Sequence, residues 1–137
     1  MITIDEYVGV HKNSLDWNGA CQRAAEILLD RANRLIDEYV ADGHVIEINP
    51  KTGSQISGET YGGFRPQSCP IGAPYSSHKL GMAVDIYDIH NELDNWIDAN
   101  PDVLVKYDLY REAPISTLTW THLATKKPLS GRRTFLP

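Results

Sequence analysis

Between residues 16 and 41 the side chains Trp17, Ala20, Cys21, Ala24, Ala25, Leu28, Leu29, Ala32, Leu35, Ile36, Tyr39 and Val40 recur at intervals of three and four. That period lays them along one stripe of an α-helix. A helix of this length with one apolar stripe needs a broad surface to cover it, so the chain is expected to build a sheet against it. Asp16 is placed to cap its start and Gly43 to stop it. Residues 1–15 show no clear period. Residues 45–48 are short and β-branched and run into Asn49-Pro50-Lys51-Thr52-Gly53, which reads as a strand and a turn, with 54–64 returning as a second strand. Three prolines and Gly72 make 65–77 a long loop. Residues 82–87 alternate as a strand does. Residues 89–99 are expected to be helical, with Leu93, Trp96 and Ile97 on one face. Pro101 opens a further helical turn through Leu104. Residues 107–111 and 117–123 read as strands, and the chain from Pro128 as extended. The class is α+β: a small, mainly antiparallel sheet packed against one long N-terminal helix. The length of 137 residues suits a single domain over 1–137.

A net charge of −5 argues against a nucleic-acid partner, which would need a basic face, and against an anionic surface held by bulk charge. The local exception is Lys126, Lys127, Arg132 and Arg133, expected to be solvated. No apolar run reaches the roughly 18 residues of a membrane span. The opening Met-Ile-Thr-Ile-Asp-Glu lacks the basic region and apolar core of a signal peptide. A chain made in the cytoplasm without a leader, and monomeric for its size, is the expectation. Cys21 and Cys69 are too few for a disulfide framework and are expected to be free thiols, Cys21 buried in the helix and Cys69 in the loop.

The chemistry concentrates in Ser76-Ser77-His78-Lys79-Leu80-Gly81-Met82-Ala83-Val84-Asp85 and in Trp120-Thr121-His122. A strand entered directly through Gly81 would carry Asp85 back beside His78. Ala83 and Asp85 share one strand face, where the small Ala83 leaves room beside the carboxylate, and His122 shares a face with Trp120. A catalytic zinc takes three protein ligands and keeps the fourth position for water. An N,O,N set suits that ion, and the carboxylate leaves the site a single net positive charge. From spacing alone, a histidine on a strand is more often a core or surface residue than a ligand, and neither HExxH nor CxxC occurs.

Taken together, Gly62-Gly63-Phe64-Arg65-Pro66, Ser76-x-His78-x-x-Gly81-x-Ala83-x-Asp85 and Trp120-x-His122 resemble the zinc D-alanyl-D-alanine peptidase family. That family comprises D-Ala-D-Ala carboxypeptidases, vancomycin-resistance dipeptidases and L-alanyl-D-glutamate phage endolysins, and hedgehog signalling domains share its fold. The resemblance covers about residues 57–123, and residues 128–137 are similar to the close of short phage and prophage members. It implies a zinc site on the sheet, with His78, Asp85 and His122 as ligands to one zinc ion. It implies Arg65 as a contact to substrate or to charge on the carbonyl oxygen, and Ser76 as a substrate contact. It further implies hydrolysis of a peptidoglycan stem peptide, endo- or carboxypeptidase, by metal-activated water. A lysin released through a holin to the periplasm or wall, or an enzyme carried on the virion, would fit.

One position departs from the family. A catalytic Glu commonly stands three residues before the second histidine, where this chain has Thr119. Glu112 is the best substitute for the general base, then Glu59, then Asp88; the plain reading of Glu112 is a salt bridge. Without a base, the chain would be a zinc-binding but catalytically weak or inactive wall-binding or structural module of a phage particle. A plain structural domain without metal is the third possibility. Arg65 and Ser76, without the resemblance, read as a surface arginine and a loop cap. Gly81 is expected to serve the backbone, by positive φ or close approach. Trp17, Trp96 and Trp120 read as core or pocket wall, His11, His44 and His90 as exposed, and Cys69 as a remote candidate for a thiolate ligand.

Overall fold

The computed structural model describes residues 1–73 and 75–137. The first helix, α1 (Ile4–Val8), is short and rests on a reciprocal cap: Thr3 accepts from the Glu6 amide while Glu6 accepts from the Thr3 amide. The long helix α2 spans Gly19–Ala41. Its cap is Asn18, whose side chain accepts from the Cys21 amide at 3.0 Å, and not Asp16. The Asp16 carboxylate is engaged elsewhere, accepting from the Gln67 amide at 2.8 Å. Gly43, at φ +97, follows the helix end as expected. The buried stripe of α2 is Cys21, Ala25, Leu28, Leu29, Ala32, Leu35, Ile36 and Tyr39. Val40, included by its spacing, is exposed.

The sheet holds β1 (Ala83–Tyr87), β2 (Tyr110–Glu112), β3 (Trp120–Ala124) and β4 (Thr134–Phe135) in the order β1-β3-β2-β4. β3 is antiparallel to both β1 and β2, but β4 runs parallel to β2. The sheet is therefore mixed, which corrects the expectation of a mainly antiparallel one. The extra strand comes from the stretch beyond Pro128, and polar anchors hold it. Arg111 donates to Thr134 Oγ1, and Arg133 lies 4.4 Å over the Tyr110 ring and 2.8 Å from Asp108. The basic quartet is accordingly only partly solvated, because Arg133 is bound into the fold.

Residues 45–48 form no strand. Val45 and Ile48 are exposed, and among the described residues no strand pairs with them. Residues 54–64 do lie along β1, but only through the bridge of Ile56 to Ile86 and scattered bonds such as Asp85 N to Gly62 O at 2.7 Å. Gly58 at φ +75 and the crowded Gly62 break any regular ladder. Asn49 fastens this turn, donating to the carbonyls of Ile56 and Gly58.

After β1, Asp88 accepts from the amides of Leu93 and Asp94 and so starts α3 (Glu92–Ala99). Pro101 then caps α4 (Asp102–Lys106). Strand pairing sorts the side chains. Val84, Ile86, Thr121, Leu123 and Arg111 share the face toward α2 and α3, and Ala83, Asp85, Trp120, His122 and Glu112 share the other. Val84, Ile86 and Leu123 join the α2 stripe, Tyr7, Phe64, Leu93, Trp96 and Ile97 in the hydrophobic core. Both cysteines are free and buried. Among the described residues no helix is long and apolar enough to cross a membrane.

Candidate metal centre

Register brings the first two groups together. Asp85 in β1 is the direct cross-strand partner of His122 in β3, and directly opposed side chains lie on one face. His122 Nδ1 lies 2.9 Å from Asp85 Oδ1.

The third group arrives on a single 3₁₀ turn, Ser77–Leu80. Ser76 caps it, its Oγ accepting from the His78 amide at 3.2 Å. Gly81 ends it at φ +73, and a Cβ there would lie 2.5 Å from the Cys21 carbonyl oxygen. Both expected reasons for glycine, a left-handed backbone and close approach, therefore operate at Gly81. The reversal sets His78 Nε2 3.3 Å from Asp85 Oδ1. His78 Nδ1 lies 2.8 Å from the Gly63 carbonyl oxygen, an acceptor only, so Nδ1 carries a proton and Nε2 is the nitrogen turned toward the cluster.

These three residues are buried, and one ligand atom from each lies within 4.8 Å of the others. Donors bound at 2.0–2.1 Å to a tetrahedral ion stand about 3.3 Å apart, the spacing of His78 Nε2 from Asp85 Oδ1, while the 2.9 Å between His122 Nδ1 and Asp85 Oδ1 is that of a hydrogen bond. Burial by itself would raise the Asp85 carboxyl, but the charges and hydrogen bonds of His78 and His122 outweigh it and hold the group well below the usual carboxylate range. An anionic oxygen and two imidazole nitrogens converging in a buried place can hold a metal ion. Among the described residues it is the one such cluster, so Cys69 is not part of it.

Two charged groups flank the cluster. Arg65 donates from Nε to the Tyr61 carbonyl at 2.7 Å, and its terminal nitrogen lies 3.4 Å from Asp85 Oδ2. That contact occupies the aspartate oxygen directed away from the histidines. Glu112 reaches in from β2, with Oε2 3.8 Å from His122 Nδ1. Burial pushes the Glu112 carboxyl upward and outweighs the pull of His122.

The other expected candidates fall elsewhere. Glu59 is exposed and pairs with Lys51. Asp88 is committed to the α3 amides and to the Thr121 hydroxyl. Thr119 is exposed in the turn before β3, where its carbonyl accepts from Asp88 N. His90 is exposed, but His11 and His44 are half-buried, stacked on Tyr61 and Tyr39. That corrects the expectation that both are exposed. Trp17 and Trp96 pack with the core aromatics, and Trp120 is half-buried on the face that carries the cluster.

Two neighbours of the site carry no sequence signal. Lys79 is buried beside His78, its ammonium donating to the carbonyls of Gln67, Cys69 and Gly72 and tying down the loop. Phe135 in β4 packs against the His122 ring. Each depends on a partner distant in sequence, which no local pattern records.

No protein-family model matches this chain, and no curated protein or solved structure is significantly similar to it.

Proposed function

We propose that this protein is a zinc-dependent peptidase that hydrolyses peptidoglycan stem peptides at a D-Ala-D-Ala or L-Ala-D-Glu type of bond. The observation that carries the reading is the buried convergence of His78 Nε2, Asp85 Oδ1 and His122 Nδ1 with a second carboxylate, Glu112, beside them. The donor set suits zinc because it combines two imidazoles with one carboxylate and offers no thiolate. Bound there, zinc would make a water molecule acidic near neutral pH and polarise the scissile carbonyl.

The remaining work belongs to the chain. Glu112 Oε2 takes a proton from the attacking water and delivers it to the leaving amine, a transfer favoured by a carboxyl more basic than usual. Arg65 balances the Asp85 charge and offers its remaining N–H groups to a substrate carboxylate or to the developing oxyanion. Ser76 holds the His78 turn through its hydroxyl and is the residue we assign as a substrate contact. A phage or prophage lysin, delivered to the wall by a holin or on the virion, is the setting this chemistry suits.

Thr119 favours a second reading, a zinc-binding wall module without turnover, because its side chain cannot take the proton. Release of new amine ends from purified peptidoglycan separates the two. The peptidase reading expects release between pH 6 and 9, lost on chelation and restored by zinc. A zinc-loaded protein that releases none over that range would overturn it.

A further inference from the structure

The two imidazoles of the cluster are held by different means. His78 has its second nitrogen fixed on the Gly63 carbonyl at 2.8 Å. Among the described residues, the His122 ring makes one hydrogen bond, from Nδ1 to Asp85. Metal-binding histidines are ordinarily oriented by a hydrogen bond at the nitrogen away from the ion. With Nδ1 given to a metal, no described residue offers His122 Nε2 such a bond, and packing sets the plane of the ring. Two rings supply that packing: His78, with centroids 5.2 Å apart and planes at 66°, and Phe135, at 6.2 Å and 83°. Near-perpendicular aromatic pairs at this spacing are attractive and directional.

Phe135 is itself firmly placed. Its carbonyl accepts from Ala113 N at 2.7 Å, and the Arg133 carbonyl accepts from Arg111 N at 2.7 Å. The bonds therefore bracket Glu112 on both sides in sequence, so the same short strand holds the second carboxylate. Thr134 Oγ1 receives the Arg111 guanidinium from the opposite face.

We propose that Phe135 is the positioning residue of His122: the β4 strand carries it to the imidazole, where it does by packing what the Gly63 carbonyl does for His78 by hydrogen bonding. The inference rests on the zinc-peptidase reading of the cluster. It also makes β4 a part of the site, beyond the stretch of about residues 57–123 that carries the zinc-ligand motifs.

The test uses zinc affinity, by competition with a chromophoric chelator, and the visible spectrum of the cobalt-substituted protein, which reports ligand geometry. Phe135→Ala should weaken zinc binding by about tenfold and shift the cobalt bands. Phe135→Tyr, which keeps the ring, should restore both. Thermal unfolding of the metal-free forms separates loss of stability from loss of ring orientation. If Phe135→Ala folds and binds zinc as tightly as the parent with an unchanged cobalt spectrum, the inference is wrong. If Phe135→Ala does not fold, Phe135→Leu decides: a tenfold loss with shifted bands supports the role, and unchanged binding overturns it. A parent protein that takes up neither zinc nor cobalt removes the zinc reading itself, and this inference with it, a result distinct from the others.

Discussion

Asp94 lies fully buried behind the sheet, and its Oδ2 meets no hydrogen-bond partner among the described residues. Burial, with the Asp88 charge, outweighs the Arg111 guanidinium at 3.3 Å and pushes the carboxyl up to about 7. The sign of the consequence follows from proton binding. Between about pH 4 and pH 7 the folded chain holds a proton on Asp94 that the unfolded chain has released, so this residue makes stability fall as pH rises through that window. Asp94→Asn should flatten the decline, keeping the Arg111 contact without a charge to bury. Urea unfolding of the metal-free protein from pH 4.5 to 7.5 measures it; parallel curves for parent and variant would contradict the assignment. At the candidate site, Glu112→Gln should lower kcat by roughly 10²–10⁴-fold while leaving bound zinc in place. Steady-state kinetics with metal analysis checks both halves, and undiminished turnover would remove Glu112 as the base. His78 and Asp85 were legible as neighbours in the sequence because close spacing and strand parity act locally; the distant His122 was joined to them as a ligand by the family resemblance. The pairing of Arg111 with Asp94 and the Phe135 contact were not legible, because each joins residues that only the folded sheet brings together.

At the scale of elements, the turn at Gly81 matters most, because it converts the His78 turn into β1 within a few residues. Gly81→Ala would force a Cβ into the Cys21 carbonyl at a left-handed φ. A loss of about 2–4 kcal/mol is expected from the strain and overlap together, read as a drop in the urea midpoint. An unchanged midpoint would mean that α2 and the turn can part without cost. Replacing the α2 cap, Asn18→Ala, should cost about 1 kcal/mol by the same measurement. The long helix and β1 were readable because each carries its own period. β4 was not, since two residues cannot display a period and its anchors, Arg133 and Thr134, are polar. The stretch 45–48 shows the converse: β-branched composition favours a strand only where a neighbour supplies the ladder.

For the molecule as a whole, the core and the candidate site lie on opposite faces of one sheet. Apolar burial against α2 occupies one face, and the candidate site occupies the other. An ion that binds only the folded chain still adds to its stability by mass action. At a hundredfold excess over its dissociation constant, zinc should contribute about 2.7 kcal/mol, which raises Tm by roughly 10 °C for a chain of this size. Scanning calorimetry with zinc and then with chelator checks this, and coincident transitions would argue against a site. The mixed sheet was out of reach of the sequence because strand order is a global property. The sequence marked which residues alternate, but not that the stretch beyond Pro128 returns parallel to β2.

X-ray absorption at the zinc edge of the zinc-loaded protein tests the centre most directly. One ion per chain is expected in a shell of nitrogen and oxygen at about 2.0–2.1 Å, with the outer scattering of two imidazoles, and loss of the ion in His122→Ala. A shell containing sulfur, or zinc uptake that persists without His122, would contradict that expectation.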